Sequence, residues 1–131
     1  MASIGLQGFD ARSSLFQALR RELALQVPSV VEGSNAALVL YALLDERDRV
    51  AVATTATAQV RELQLRQRFS FRVSTPAGRE LIAPTELVVV RDLSYREAAA
   101  LAKEYEAAEL FRDMQADIVA QVMRRLAAVA L

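Results

Sequence analysis

The sequence predicts an α+β fold: two helices packed on one face of a four-stranded, mostly antiparallel or mixed sheet, in the order β-α-β-β-β-α. Three observations predict it. From Leu63 to Val73 every second residue is apolar except Gln67 (Leu63, Leu65, Phe69, Phe71, Val73), the period of a strand with one face in a core. Thr75-Pro76-Ala77-Gly78 carries proline and glycine where a type I turn wants them, so that strand folds back as a hairpin. Residues 14–25 and 94–129 contain neither glycine nor proline and place apolar residues at helical spacing.

The elements follow in order. Residues 3–10, SIGLQGFD, hold spaced apolar residues among glycines and predict a short first strand. Ser13 or Ser14 caps the first helix, whose stripe is Leu15, Ala18, Leu19 and Leu23; Pro28 stops it. Val30-Val31 and the loop Glu32-Gly33-Ser34-Asn35 lead to the strand Ala36–Leu44, apolar on both faces as a central strand is. The charged segment Asp45–Arg49 comes next. Residues 50–53 then continue the strand beyond a bulge or irregular bend, and 54–57 turn into the long amphipathic strand.

After the hairpin the returning strand runs from Glu80 to Leu93, with Pro84 implying a bulge or a sheet edge near its start. Ser94-Tyr95-Arg96-Glu97 reads as a capping box opening the second helix, which continues to about Val129. Leu110, Phe111, Met114, Ile118, Val122 and Leu126 form its main stripe. Ala98, Leu101, Tyr105 and Ala108 form another, turned by roughly 100° on a helical wheel, so the helix either curves over the sheet, the favoured reading, or serves two neighbours.

At 131 residues one domain, 1–131, is expected, with roughly two thirds of its unfolded surface buried. Apolar residues make up 53%, too many for a disordered chain. Sixteen basic and sixteen acidic side chains cancel, whereas a nonspecific binder of nucleic acid or anionic membrane carries a positive excess. Without cysteine or histidine there is no thiolate, disulfide or imidazole base, and almost no transition-metal chemistry; no cofactor is expected. The longest apolar run, Ala36–Leu44, is about half a membrane span. Met1-Ala2-Ser3 is followed by neither a basic nor a long apolar leader region, so the chain as given reads as soluble.

No nucleophile, base and orienter stand together, and the chain reads as a non-enzyme. Glu104, Glu106 and Glu109 lie beside Lys103 and Arg112, which describes a solvated helix surface better than a carboxylate pair. Gly5 and Gly8 match no phosphate-loop fingerprint. Arg68-Phe69-Ser70-Phe71-Arg72 bears a faint likeness to the aromatic platform of RNA-binding sheets, which makes a nucleic-acid-binding module the alternative reading. Against it, Phe69 and Phe71 share a face with Leu63 and Leu65, and the glycines of that motif are missing. If both helices cover the apolar face, Arg66, Arg68 and Arg72 are left on the uncovered side, to meet either solvent or a partner.

A set of motifs then runs in one order from about residue 13 to 128. They are Leu19-Arg-Arg-Glu-Leu23, Val60-Arg-Glu-Leu-Gln-Leu65, Gly78-Arg-Glu-Leu-Ile82 with Pro84, and Arg91-Asp-Leu-Ser-Tyr95. Leu101-Ala-Lys-Glu104, Phe111-Arg-Asp-Met114 and Met123-Arg-Arg-Leu126 follow. In this register the chain resembles the lipopolysaccharide-assembly lipoprotein family (LptE, or rare lipoprotein B) of Gram-negative outer membranes; residues 1–12 align poorly. The resemblance implies two helices on one side of a four-stranded sheet, and a non-enzymatic role plugging and assisting assembly of the outer-membrane β-barrel that delivers lipopolysaccharide, LptD.

It further implies a periplasmic-side location at the outer membrane through an N-terminal lipid anchor absent from this chain, which has no cysteine. Arg66, Arg68 and Arg72 would then face the polar lumen of the barrel. Lipopolysaccharide phosphates suit arginine forks, and position in the motifs points to Arg79 and Arg125, with Arg124 as a substitute. Cations balancing a helix dipole would account for Arg124 and Arg125 without a ligand.

Overall fold

Alternation in the middle of the chain becomes a five-stranded mixed sheet in the computed structural model, which describes residues 3–27, 29–32, 36–57 and 59–129. In chain order the elements are β1 (Ser3–Gln7), α1 (Ser14–Ala24), β2 (Ser29–Glu32), β3 (Leu38–Thr54), β4 (Val60–Ser74), β5 (Glu80–Ser94) and α2 (Ala100–Val129). The strands lie side by side as β2-β1-β3-β4-β5. β1 is parallel to both β2 and β3, and the β3-β4-β5 ribbon is antiparallel.

The α+β class and the placement of both helices on one face stand as predicted. The strand count is corrected from four to five. β2 has only four residues and pairs only with β1, too short for any alternation to show in sequence. Pro28 and the loop residues Gly33-Ser34-Asn35 lie outside the described residues.

One apolar cluster joins the two layers. Leu15, Leu19 and Leu23 of α1 and Phe111, Met114, Ile118, Val122 and Leu126 of α2 meet Leu65, Phe69, Phe71 and Val73 of β4. Phe69 and Phe71 are fully buried, with ring centroids 5.4 Å apart, and Phe9 stacks on Phe69 at 5.7 Å. Burying side chains of this size contributes about 1.5–3 kcal/mol each. Of the two candidate caps, Ser13 is the one used: its Oγ accepts the Phe16 N–H at 3.1 Å.

The turn forms as expected, Gly78 donating its N–H to the Thr75 carbonyl at 2.9 Å with φ of 94°. At Ala83-Pro84 the ladder slips: Phe71 opposes Thr85 while Val73 opposes Ile82, so β5 carries an extra residue. β5 is also an edge strand, and both readings of Pro84 hold. A second irregularity falls at Leu43, between the Ala42 and Leu44 pairings. There Gly8, with φ of 86°, approaches so closely that a Cβ would collide with the Ala42 carbonyl oxygen.

Asp45–Arg49 lies inside β3, which runs on through residues 50–53, because alternation gives each charge a face. Asp45, Arg47 and Arg49 pair with the helix-side residues Phe69, Gln67 and Leu65, whereas Glu46 and Asp48 lie on the open side with Arg68 and Arg66.

Two expectations about α2 need correction. Ser94 is not its cap. The Tyr95 N–H donates to the Arg61 carbonyl at 2.8 Å and keeps the chain in the sheet; a 3-10 turn, Glu97–Ala99, then precedes the helix. Ser94 Oγ instead accepts from Lys103 Nζ at 3.2 Å, and the Glu97 side chain lies outside the described residues. The displaced stripe is not bent onto the sheet either, since Leu101 and Tyr105 are 72% and 70% exposed. The reason is the position of α1. Ser14 Oγ donates to Gln115 Oε1 at 2.8 Å, so α1 begins level with the middle of α2 and leaves its first half unaccompanied.

Candidate functional site

Two surfaces carry the residues singled out by sequence. The first is the open face of β4. A period-two strand that buries Leu65, Phe69 and Phe71 must turn Arg66, Arg68 and Arg72 the other way, and it does. Arg66 and Arg68 keep 39% and 42% of their side-chain surface exposed.

Their partners come from the neighbouring strands. Arg66 donates through Nε to Asp48 Oδ1 at 3.1 Å, and Arg68 through Nε to Glu86 Oε1 at 2.8 Å, with Glu46 Oε2 3.9 Å from its Nη1. The Arg68 guanidinium is held protonated more firmly than an ordinary arginine, first by its hydrogen bond to Glu86 and then by the charges of Glu86, Glu46 and Asp48. Arg72 lies over the Tyr41 ring, 4.0 Å from its centroid, a cation–π contact.

Exposed, solvent-screened pairs of this kind contribute little to stability, so they order the face more than they stabilise the chain. Glu46, Asp48, Glu86 and Tyr41 escaped sequence reasoning. For Glu46 and Asp48 the sign alternation of Glu46-Arg47-Asp48-Arg49 was the available signal.

The second surface is one end of the molecule. α2 returns antiparallel to β5, which brings its last turns back to the end where the β4–β5 turn lies. Arg79 stands beside that turn and Arg124 and Arg125 in the final turns of α2, all three exposed. Arg124 and Arg125 line a shallow hollow of about 250 Å³ with Gln121 and Ala128. The Arg79 backbone N–H is fixed to Thr75 Oγ1 at 3.1 Å, while its guanidinium stays outside. Among the described residues none of the three guanidinium groups has a hydrogen-bond or ion-pair partner, and no contact joins Arg79 to the α2 pair.

Other chemistry is limited. Among the described residues no group of acidic side chains has the geometry to hold a metal, and no helix is long and apolar enough to cross a membrane. Phe69 and Phe71 lie in the core, so β4 offers no aromatic stacking platform.

The chain is thus an α+β domain with one sheet face under helices and the other lined with ordered guanidinium groups. The family profile described as LptE, Lipopolysaccharide-assembly, matches residues 1–126, and the chain belongs to that family. No curated protein matches it.

Solved structures share the fold. The rare lipoprotein B of Shewanella oneidensis is 22% identical, with a TM-score of 0.77 over 96% of this chain and 94% of that one. An uncharacterized lipoprotein B of Nitrosomonas europaea is 23% identical, with a TM-score of 0.78 over 94% and 80%. A minor lipoprotein of Acinetobacter baumannii is 20% identical, with a TM-score of 0.75 over 96% and 90%. Family membership gives the chain a role in lipopolysaccharide assembly, among the components of the transport machinery in the cell envelope.

Proposed function

We propose that the chain is a non-enzymatic plug and assembly partner of the outer-membrane barrel LptD, and that it binds lipopolysaccharide at its basic end. What supports the ligand half is that Arg79, beside the β4–β5 turn, and Arg124 and Arg125, in the last turns of α2, are exposed and have no partner among the described residues. Arginine forks bind phosphate bidentately, and lipid A carries phosphates. A helix C-terminus favours cations in any protein, but Arg79 sits outside any helix and the dipole does not explain it.

The barrel half rests on the open sheet face. Arg66, Arg68 and Arg72 with their acidic neighbours make a polar, ordered surface suited to a polar lumen wall. On this reading the native protein works at the periplasmic side of the outer membrane, held by a lipid anchor and by the barrel together, since a single acyl chain holds only weakly.

The double substitution Arg79→Glu with Arg125→Glu tests the ligand half. Binding to lipopolysaccharide micelles is expected to weaken about tenfold or more, one lost charge-assisted contact being worth roughly 1.5–3 kcal/mol. The melt should stay unchanged because both side chains are exposed. Retained binding would remove these residues from the site.

A further inference from the structure

The helix-side layer of this fold is incomplete. The 17 residues of β3 extend about 55 Å, whereas the 11 of α1 span about 16 Å. α1 begins where Ser14 meets Gln115, so beyond that point the space beside α2 and above the outer half of β3 is unfilled. On a wheel of about 100° per residue, Leu101 and Ala108 point within roughly 40° of Gln115, the residue that marks the direction of α1. On the same wheel Glu104 and Ala108 point within about 20° of Gln115, so with Leu101 these exposed residues wall this slot. Tyr105 stands about 80° away at its outer rim, and its floor is the exposed helix-side row Arg47, Arg49 and Ala51. It continues the line of α1 for about 22 Å, the length of the first half of α2.

The charges around the slot say what fits. Arg47 donates to Ser14 Oγ at 2.9 Å and Gln115 Oε1 at 3.2 Å and lies 5.0 Å from the Phe111 ring centroid, all neutral partners. Arg12 and Arg112 have no side-chain partner among the described residues, and the N-terminus of α1 adds its own partial positive charge. Arg49 is paired with Glu104 at 2.8 Å. At the α1 end, Asp10 and Asp45 share a cleft of about 290 Å³ with Arg12 and Arg47; they accept from the Arg12 N–H and from Ser13 Oγ. A lipid headgroup lying there would bring its phosphates against those two carboxylates. A peptide with spaced side chains can set its acids on the arginines and its apolar stripe on Leu101 and Tyr105.

Resting on the barrel-partner reading above, we propose that this slot receives an amphipathic helical segment of the barrel protein, carrying an apolar stripe and carboxylates, which completes the layer that α1 leaves short. Leu101 and Tyr105 are its anchors, and Arg112 and Arg47 read its acids.

The test is co-purification of the full chain with co-expressed barrel protein, for wild type, for Leu101→Asp with Tyr105→Asp, and for Arg112→Glu. The double variant should lose about tenfold or more of the captured chain and Arg112→Glu a smaller share, as hot-spot anchors outweigh rim charges. Both variants should melt like wild type, because the side chains are exposed. Capture of the double variant at the wild-type level overturns the slot and leaves the barrel reading standing. Failure of wild type to be captured sinks both. A wild-type dimer in sedimentation that the double variant dissolves would make a second copy the occupant and also overturn the proposal.

Discussion

At the scale of single residues, Gln67 stands out. It occupies a core-facing position on β4, is 1% exposed, and its Oε1 finds no hydrogen-bond donor. A buried acceptor left unpaired costs about 1–3 kcal/mol, so Gln67→Leu, close in volume, is expected to raise stability by roughly that amount in denaturant unfolding. An unchanged or lowered midpoint would mean that the amide has a partner in solution. The sequence marked this residue as the one polar interruption of an apolar face, and its identity alone told nothing about the cost. The arginines were legible in the same limited sense. Period two put Arg66, Arg68 and Arg72 on the uncovered side, but their partners Asp48, Glu86 and Tyr41 depend on cross-strand register, which a single strand does not encode.

At the scale of elements, the two halves of α2 differ physically. Residues 111–126 bury Phe111, Met114, Ile118, Val119, Val122 and Leu126, whereas over residues 100–110 Ala107 alone is buried. Helical stability in proteins comes mostly from such packing, so amide hydrogen exchange should be faster over residues 100–109 than over 111–126, by tenfold or more on a rough scale of local opening energies. Equal protection would show that the first half is held by more than Arg49–Glu104 and Lys103–Glu106. Sequence reasoning found both stripes and their angular offset. Between a helix curved over the sheet and one serving two neighbours it favoured the first, because nothing in a one-dimensional pattern says where a neighbouring helix starts; the Ser14–Gln115 contact decides that, across 101 positions of chain. The hairpin, the Pro84 bulge and the Ser13 cap were readable because each depends on a few consecutive residues.

At the scale of the whole molecule, charge is sorted although the total is zero. Arg66 and Arg68 are paired with acids on the open face, whereas Arg79, Arg124 and Arg125 have no partner among the described residues. If the open face meets a polar lumen, Arg66→Glu with Arg68→Glu sets new carboxylates beside Asp48, Glu46 and Glu86 and should reduce co-purification with the barrel while costing little stability, since these pairs are exposed and screened by solvent. Undiminished capture would return this face to solvent. The family and the class of fold were within reach of the sequence because motifs and periodicities survive in one dimension. The arrangement of surfaces was not, because it arises only when distant strands align.

The length of the central ribbon sets one further condition. Fifteen residues of β4 reach about 50 Å, whereas the apolar belt of an outer-membrane barrel is about 25 Å tall. Seated lengthwise in such a barrel, as proposed above, this chain would stand nearly twice as high as the apolar belt.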